Sequence, residues 1–111
     1  MTKHSKYHKR TMAQSVLGVV RAQCLDYDRR ARLLLDPCLP EDMKESFTAL
    51  NRVIDIAMEK LDVGIRDTLF RDVQLGRGFH HSPVSALISK NAYYARKWDF
   101  VRDVAEGYSL I

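Results

Sequence analysis

The residues best suited to chemistry are concentrated at the start of a helix predicted near the C-terminus. Ser89 can cap that helix, because its side-chain oxygen can accept a hydrogen bond from a first-turn amide. The first two turns then carry cationic, amide and phenolic side chains: Lys90, Asn91, Tyr93, Tyr94, Arg96 and Lys97. Lysine and arginine bind phosphate or guanine, asparagine binds adenine, and a tyrosine hydroxyl can bond phosphate. The cluster predicts contact with nucleic acid, the alternative being a capped helix with an ordinary polar face.

A short segment before this helix favours a helix-turn-helix over residues 82–107. Ser82 can cap the segment, Pro83 suits its first turn, and it ends near Ile88. Helix-turn-helix proteins use such a short helix, turn and polar helix start to read the major groove. We therefore predict that residues 89–97, Ser89 among them, contact double-stranded DNA and that Arg77 contacts a phosphate.

Two adjacent histidines, His80 and His81, raise the question of a metal site or an enzyme. Adjacent loop side chains rarely converge on one ion, and no acid or thiol stands at zinc-ligand spacing from them. An exposed pair, or a pair near a phosphate, is the simpler interpretation. The chain also carries no nucleophile elbow, metalloprotease motif, phosphate loop or dinucleotide fingerprint. We expect no enzyme activity, no metal and no cofactor.

The charge of the chain permits an acidic partner without requiring one. The net charge is +4 and the pI is about 9.2. Residues 1–10 contain six Lys, Arg and His residues and no acid, which predicts a flexible basic tail. That tail is either a solubilising end or an arm that gains affinity from phosphates by counterion release.

Helical periodicity dominates the rest of the chain. Thr11 and Gln14 fit a capping box for a first helix that ends at Asp36-Pro37, and Gly18 within it marks a close helix contact or a break. Its predicted inner face repeats every three or four residues: Met12, Val16, Val20, Cys24, Tyr27, Ala31 and Leu34.

The second predicted helix begins near Pro40 and has heptad spacing. Its apolar residues are Met43, Phe47, Leu50, Ile54, Ala57 and Leu61. This face is either the core side of a bundle or the seam of a homodimer. A dimer would also suit a helix-turn-helix protein, because two copies reinforce each other on a symmetric DNA site.

A third helical segment runs from Ile65 to a stop at Gly76, and the final helix ends near Gly107. In the final helix the stripe through Tyr94, Trp98, Val101 and Ala105 is expected to face the core, with Trp98 buried. No stretch alternates long enough to predict a strand. The expected fold is all-α, a bundle of four to five helices in one domain over residues 11–111.

The remaining sequence properties bear on the cellular compartment of the protein. No apolar run approaches the length of a membrane span, and the start of the chain is too polar for a secretory signal. Two cysteines, Cys24 and Cys38, do not make a disulfide framework, so a reducing cytoplasm is expected.

Residues 49–111 resemble the phage late transcriptional regulators of the RinA/ArpU type, whose C-terminal half is similar to the helix-turn-helix of sigma-factor region four. The similar positions run from Ile88 to Lys97 and continue through Phe100, Val104-Ala105 and Leu110-Ile111. Where that family has an Ile-Ala start and a small residue before the turn, this chain has Ser82-Pro83 and Leu87, which shortens the first helix of the motif. The resemblance implies phage or prophage origin and DNA binding that activates late genes.

Together, the residues and the resemblance predict a cytoplasmic DNA-binding regulator of transcription that reads duplex DNA with its C-terminal helix. They leave RNA polymerase or another host protein open as a further partner. The alternative is a non-enzymatic helical phage protein that binds a host protein as an inhibitor or adaptor.

Overall fold

The computed structural model describes residues 12–111, which form four α-helices and no strand. Helix α1 spans Gln14–Leu33, α2 Glu41–Glu59, α3 Val63–Leu75 and α4 Lys90–Gly107. Two 3-10 turns, Phe79–His81 and Pro83–Ala86, connect α3 to α4. The all-α prediction is confirmed. Thr11 and the basic tail lie outside the described residues. The predicted capping box is nevertheless wrong, because α1 begins at Gln14 itself, with Ala13 at the N-cap and no side-chain cap.

Local sequence signals account for several helix ends. Pro40 immediately precedes α2, whose first turn carries Glu41 and Asp42 at the positive end of the helix dipole. Helix α3 ends at Gly76, which adopts the left-handed conformation with φ 69°. That conformation is strained for residues with a Cβ, so the position requires glycine. Gly18 neither breaks α1 nor makes the predicted close contact, since a Cβ placed there would meet nothing within 4 Å.

All four helices contribute to one apolar core. Val20 and Cys24 enter it from α1, Ile54 and Ala57 from α2, Leu69 and Val73 from α3, and Phe100, Val101, Val104 and Ala105 from α4. Burial raises the pKa of the Cys24 thiol to about 12, which keeps the thiol protonated and unreactive at neutral pH. Cys24 and the exposed Cys38 are both free thiols.

The predicted stripe of α4 is fully buried only at Val101 and Ala105. Tyr93, Phe100 and Val104 are almost completely buried, whereas Tyr94 and Trp98 pack at the edge of the core and stay partly exposed. The expectation of a buried Trp98 was therefore wrong. Two apolar stripes lie side by side on this helix, and the packing of α1 and α2 against it decides which is central.

The heptad face of α2 is buried in its second half and partly exposed in its first half. Ile54, Ala57 and Leu61 are buried in the core of the monomer, while Met43 is 41% exposed near the start of the helix. The second half of the predicted dimer seam is thus occupied by the chain's own core. A homodimer through α2 would have only Met43, Phe47 and Leu50 available, and it stays a prediction.

A buried polar link also joins α1 to α2. The guanidinium of Arg30, only 3% exposed, donates from Nε to Asn51 Oδ1 at 2.6 Å and from Nη1 to Gln23 Oε1 at 3.0 Å. Asn51 in turn donates to the backbone oxygen of Tyr27 at 3.2 Å. These bonds satisfy the buried polar atoms and fix how α1 and α2 sit against each other.

The helix-turn-helix expected over residues 82–107 is not confirmed. Ser82 does cap the segment before the turn, accepting a hydrogen bond from Val84 N at 3.2 Å, and Pro83 occupies its first position. That segment is only a 3-10 turn, Pro83–Ala86, held to the core by the buried Val84. It is too short to act as the first helix of a DNA-reading pair.

Within residues 12–111, none of the helices combines the length and the apolar character that crossing a membrane would need.

The two isoleucines of α2 provide a direct test of this packing. Ile54 is fully buried and Ile56 is 44% exposed. Ile54→Glu places an unpaired charge in apolar surroundings, so we expect it to lower the free energy of unfolding by about 3 kcal/mol or more. Ile56→Glu should change it by no more than about 0.5 kcal/mol. Urea denaturation followed by circular dichroism measures both, and a folded Ile54→Glu monomer of normal stability would contradict this core.

Candidate nucleic-acid interface

The start of α4 is the most accessible part of the predicted site. Ser89 caps the helix, its Oγ accepting a hydrogen bond from Ala92 N at 3.1 Å. Lys90 and Asn91 are exposed in the first turn, and no hydrogen bond or ion pair joins their side chains to another described residue. Backbone amides at a helix start also carry partial positive charge. This end of α4 therefore presents a cation and an amide to a partner.

Arg96, in the second turn of α4, is a further accessible cation of the predicted set. Its Nε lies 3.1 Å from Asp62 Oδ2 in the connection before α3. Both side chains are substantially exposed, at 40% and 67%. Exposed ion pairs contribute little to stability, typically below about 1 kcal/mol. Arg96 can exchange this partner for a phosphate at small cost.

Asp72 occupies the centre of a buried polar cluster under this surface, the Asp72 cluster, formed with Arg77, Tyr93 and Lys97. The Asp72 carboxylate is fully buried. Arg77 approaches Oδ1 with both Nε and Nη2 at 2.9 Å, and the Tyr93 hydroxyl donates to Oδ2 at 2.9 Å. The Lys97 ammonium donates to the backbone oxygen of Arg77 at 2.7 Å. These contacts join the end of α3, the connection between α3 and α4, and α4 itself.

The Asp72 cluster buries two residues for which the sequence predicted DNA contact. Tyr93 is fully buried and Lys97 is 8% exposed. Besides its hydrogen bond, the Lys97 ammonium lies 5.4 to 5.9 Å from the ring centroids of Tyr93, Tyr94 and Trp98, in the range of cation–π contacts. In this structure the two side chains hold the helix in place and do not reach its outer surface.

Tyr94 and Arg77 are intermediate cases. The Tyr94 hydroxyl accepts a hydrogen bond from Phe79 N at 3.3 Å, and its ring stacks on Trp98. Arg77 is bound to Asp72 but keeps 32% of its side chain exposed. Of the predicted residues, Ser89, Lys90 and Asn91 are exposed, and Arg96 and Arg77 keep part of their side chains exposed.

Sequence reasoning missed Asp72 and Asp62, although both organise the site. Asp72 and Arg77 flank the helix stop at Gly76, and an opposite-charge pair across such a stop is a signal that could have suggested the contact. No comparable local signal joins Asp62 to Arg96, because 34 positions separate them.

His80 and His81 are exposed in the connection, as the simpler interpretation held. Over residues 12–111, no three His, Cys, Asp or Glu side chains come together in a group that could hold a metal ion.

Comparison with known proteins adds no assignment. No family model matches the chain, and neither the curated proteins nor the solved structures include a significant match. The resemblance to the RinA/ArpU type thus stays a prediction.

The Asp72 cluster can be tested through the tyrosine hydroxyls. Tyr93→Phe removes a donor from a fully buried carboxylate, so we expect a loss of about 1–3 kcal/mol in the free energy of unfolding. Tyr94→Phe is the matched control, because its 3.3 Å hydrogen bond is weaker and partly exposed. Urea denaturation should show the larger loss for Tyr93→Phe. Equal losses, or none, would mean that the cluster does not hold α4.

The same hydroxyl gives a prediction for alkaline pH. Burial, reinforced by the hydrogen bond to Asp72, raises the pKa of Tyr93 well above its ordinary value of 10.0. Above pH 10 the unfolded chain loses this proton and the native protein keeps it, so stability must fall as pH rises. Tyr93→Phe should therefore lose less stability than the wild type between neutral pH and pH values above 10. Parallel losses in the two proteins would contradict the assignment. Tyr27, whose pKa is raised to about 12, contributes to both equally.

Proposed function

We propose that the protein is a non-enzymatic DNA-binding regulator of transcription that contacts the duplex through the start of α4. The observation that supports this proposal is the pair of exposed side chains Lys90 and Asn91 on the first turn of a Ser-capped helix. Arg96 adds a cation held by a surface ion pair to Asp62 and by a 3.4 Å hydrogen bond to the backbone oxygen of Ala92. Phage or prophage origin and late-gene activation rest on the family resemblance alone.

The interface that we propose is smaller than the sequence predicted. Lys90 and Arg96 bind phosphates, and Asn91 reads a base edge through its amide. Arg77 contributes through the exposed part of its guanidinium. Tyr93 and Lys97 act indirectly, because they hold α4 against the connection through the Asp72 cluster. Without a full first helix before the turn, the phosphate contacts on either side of α4 have to set its angle in the groove.

A second candidate function is binding of a host protein, as an inhibitor or adaptor. The observation in its favour is the exposure of large apolar side chains where the α1–α2 hairpin turns, chiefly Leu35 at 83% and Met43 at 41%. Exposed apolar residues grouped at one end of a small protein are a feature of protein–protein interfaces. RNA polymerase contact by a regulator would use the same kind of surface.

The DNA-binding proposal predicts the effect of removing the accessible side chains together. Lys90→Ala, Asn91→Ala and Arg96→Ala in one variant should abolish detectable duplex binding in a gel-shift titration, while thermal unfolding stays nearly unchanged. The matched control is Arg29→Ala with Lys44→Ala, which removes the same charge from exposed positions on α1 and α2. The control should keep most of the affinity.

Salt dependence separates this proposal from its alternatives. Wild-type affinity should fall steeply with ionic strength, since each neutralised phosphate contributes about −0.9 to the slope of log K against log salt. The control variant should keep the wild-type slope. Equal binding by the wild type and the triple variant would exclude α4 as the reader. Absence of duplex binding, with a host protein retained in a nuclease-treated pull-down, would favour the adaptor.

A further inference from the structure

Arg21 is an exposed arginine of α1 that lies outside the surface proposed above. Its Nε donates to the backbone oxygen of Gln74 at 3.0 Å, which anchors the guanidinium at the last turn of α3. No hydrogen bond joins its two terminal nitrogens to another residue of the described chain. A guanidinium fixed in this way can present both terminal nitrogens to the oxygens of one phosphate.

The turn at Gly76 brings this guanidinium close to Arg77. A Cβ placed on Gly76 would lie 3.4 Å from Arg21 Cζ, and 3.5 and 3.7 Å from its two terminal nitrogens. The guanidinium of Arg21 therefore lies over the backbone of Gly76, the residue before Arg77. Both arginines border one depression between α1, the end of α3 and α4. Two cationic side chains thus border the same region of the surface.

Arg21 keeps its charge, whereas the neighbouring arginines are paired. Arg77 binds the buried Asp72 carboxylate with Nε and Nη2, although 32% of its side chain stays exposed. Arg71, one turn before the end of α3, has its Nη1 3.7 Å from Asp28 Oδ2. Arg21 forms no ion pair with an acid of residues 12–111. Its charge is therefore available to an anionic partner.

Arg21 lies on the side of α4 that carries Lys90. Tyr94 borders the same depression as Arg21, and a Cβ on Gly78 would lie 3.0 Å from the Tyr94 hydroxyl oxygen. Lys90 precedes Tyr94 by four residues, which places the two on one face of the helix. Arg96 follows Tyr94 by two residues, so it projects about 200° round the helix axis from it. Exposed cations therefore lie on both sides of α4.

The length of α3 separates Arg21 from Arg96. Arg96 pairs with Asp62, the residue before α3, and Arg21 bonds to Gln74 in the last turn of α3. The helix between these two partners rises by about 18 Å. The major groove of B-DNA is roughly 12 Å wide, so cations this far apart can reach the sugar-phosphate backbones on its two sides.

We infer that Arg21 binds a backbone phosphate of the duplex, on the side of α4 opposite to Arg96. The inference rests on the proposed function and assigns to α1 a contact that helps to set the angle of α4 in the groove. The segment before α4 is only a 3-10 turn, so α1 replaces the first helix of a helix-turn-helix in contacting the backbone. A phosphate contact carries no base information, so it strengthens binding to every duplex alike.

Salt titrations of duplex binding test this contact. Arg21→Gln should weaken binding by about tenfold and reduce the slope of log K against log salt by about 0.9, because one phosphate contact is lost. Two duplexes of unrelated sequence should show the same loss. Arg32→Gln is the matched control, since Arg32 is another exposed arginine of α1, about 16 Å further along the helix axis. It should keep the wild-type affinity and slope.

Arg21→Lys separates phosphate binding from a structural role. Lysine keeps the charge but cannot donate to the Gln74 carbonyl and present two further nitrogens to a phosphate. Arg21→Lys should therefore keep the wild-type salt slope and bind more tightly than Arg21→Gln. Equal weakening of the two variants, with wild-type slopes, would assign Arg21 to the packing of α1 against α3 and overturn the inference. Thermal unfolding confirms that each variant is folded.

The inference is also overturned if Arg21→Gln matches Arg32→Gln in both affinity and slope, and that result leaves the contact of α4 with the duplex intact. Failure of the proposed function has a different signature. A wild type that binds neither duplex would exclude the function and the Arg21 contact together. Wild-type affinity in the Lys90, Asn91 and Arg96 variant, with weakened binding by Arg21→Gln, would exclude α4 as the reader and keep the phosphate contact.

Discussion

The buried carboxylate of Asp72 is the contact on which the position of α4 depends. Arg77 binds one of its oxygens and the Tyr93 hydroxyl the other, each at 2.9 Å. A carboxylate removed from water is stable only when such partners satisfy it. Because the partners come from the connection and from α4, satisfying this one charge requires both elements to pack where they do. The left-handed Gly76 turns the chain so that Arg77 can return to the end of α3.

This constraint explains why residue type alone gave a wrong picture of Tyr93 and Lys97. A tyrosine hydroxyl and a lysine ammonium suit phosphate as well as they suit a buried carboxylate or a backbone carbonyl. Their partners, Asp72 and the Arg77 carbonyl, lie 21 and 20 positions away, so residue type does not show which contact forms. The helical spacing of Tyr93 and Lys97 with Phe100 and Val104 does indicate a buried stripe. Lys90 and Asn91 precede the packed part of the helix, and their exposure follows from position alone.

Local sequence signals predicted where the helices begin and end better than they predicted how the helices pack. Gly76, Ser82 and Ser89 act at the positions where capping and stop rules put them. Pro40 stands at the N-cap and not in the first turn, and α1 ends at Leu33, before the predicted stop at Asp36-Pro37. Those rules depend on neighbouring backbone groups only, so a sequence contains all the information they need. The packing of the other helices decides which of the two adjacent stripes on α4 is buried deepest. It also decides how much of the heptad face of α2 is buried. The buried Arg30 network was missed for the same reason, since its partner Asn51 lies on another helix.

The Asp72 cluster also affects what an interface of so few accessible side chains can do. Three or four contacts give useful affinity only if little of the protein becomes ordered on binding. Each side chain or segment that is immobilised loses conformational entropy, which reduces the favourable free energy of binding. Here α4 is already fixed by the Asp72 cluster, by the Tyr94 contact to Phe79 and by Ser89 at its first turn. For the proposed DNA contact, the buried residues of the Asp72 cluster would therefore contribute through rigidity.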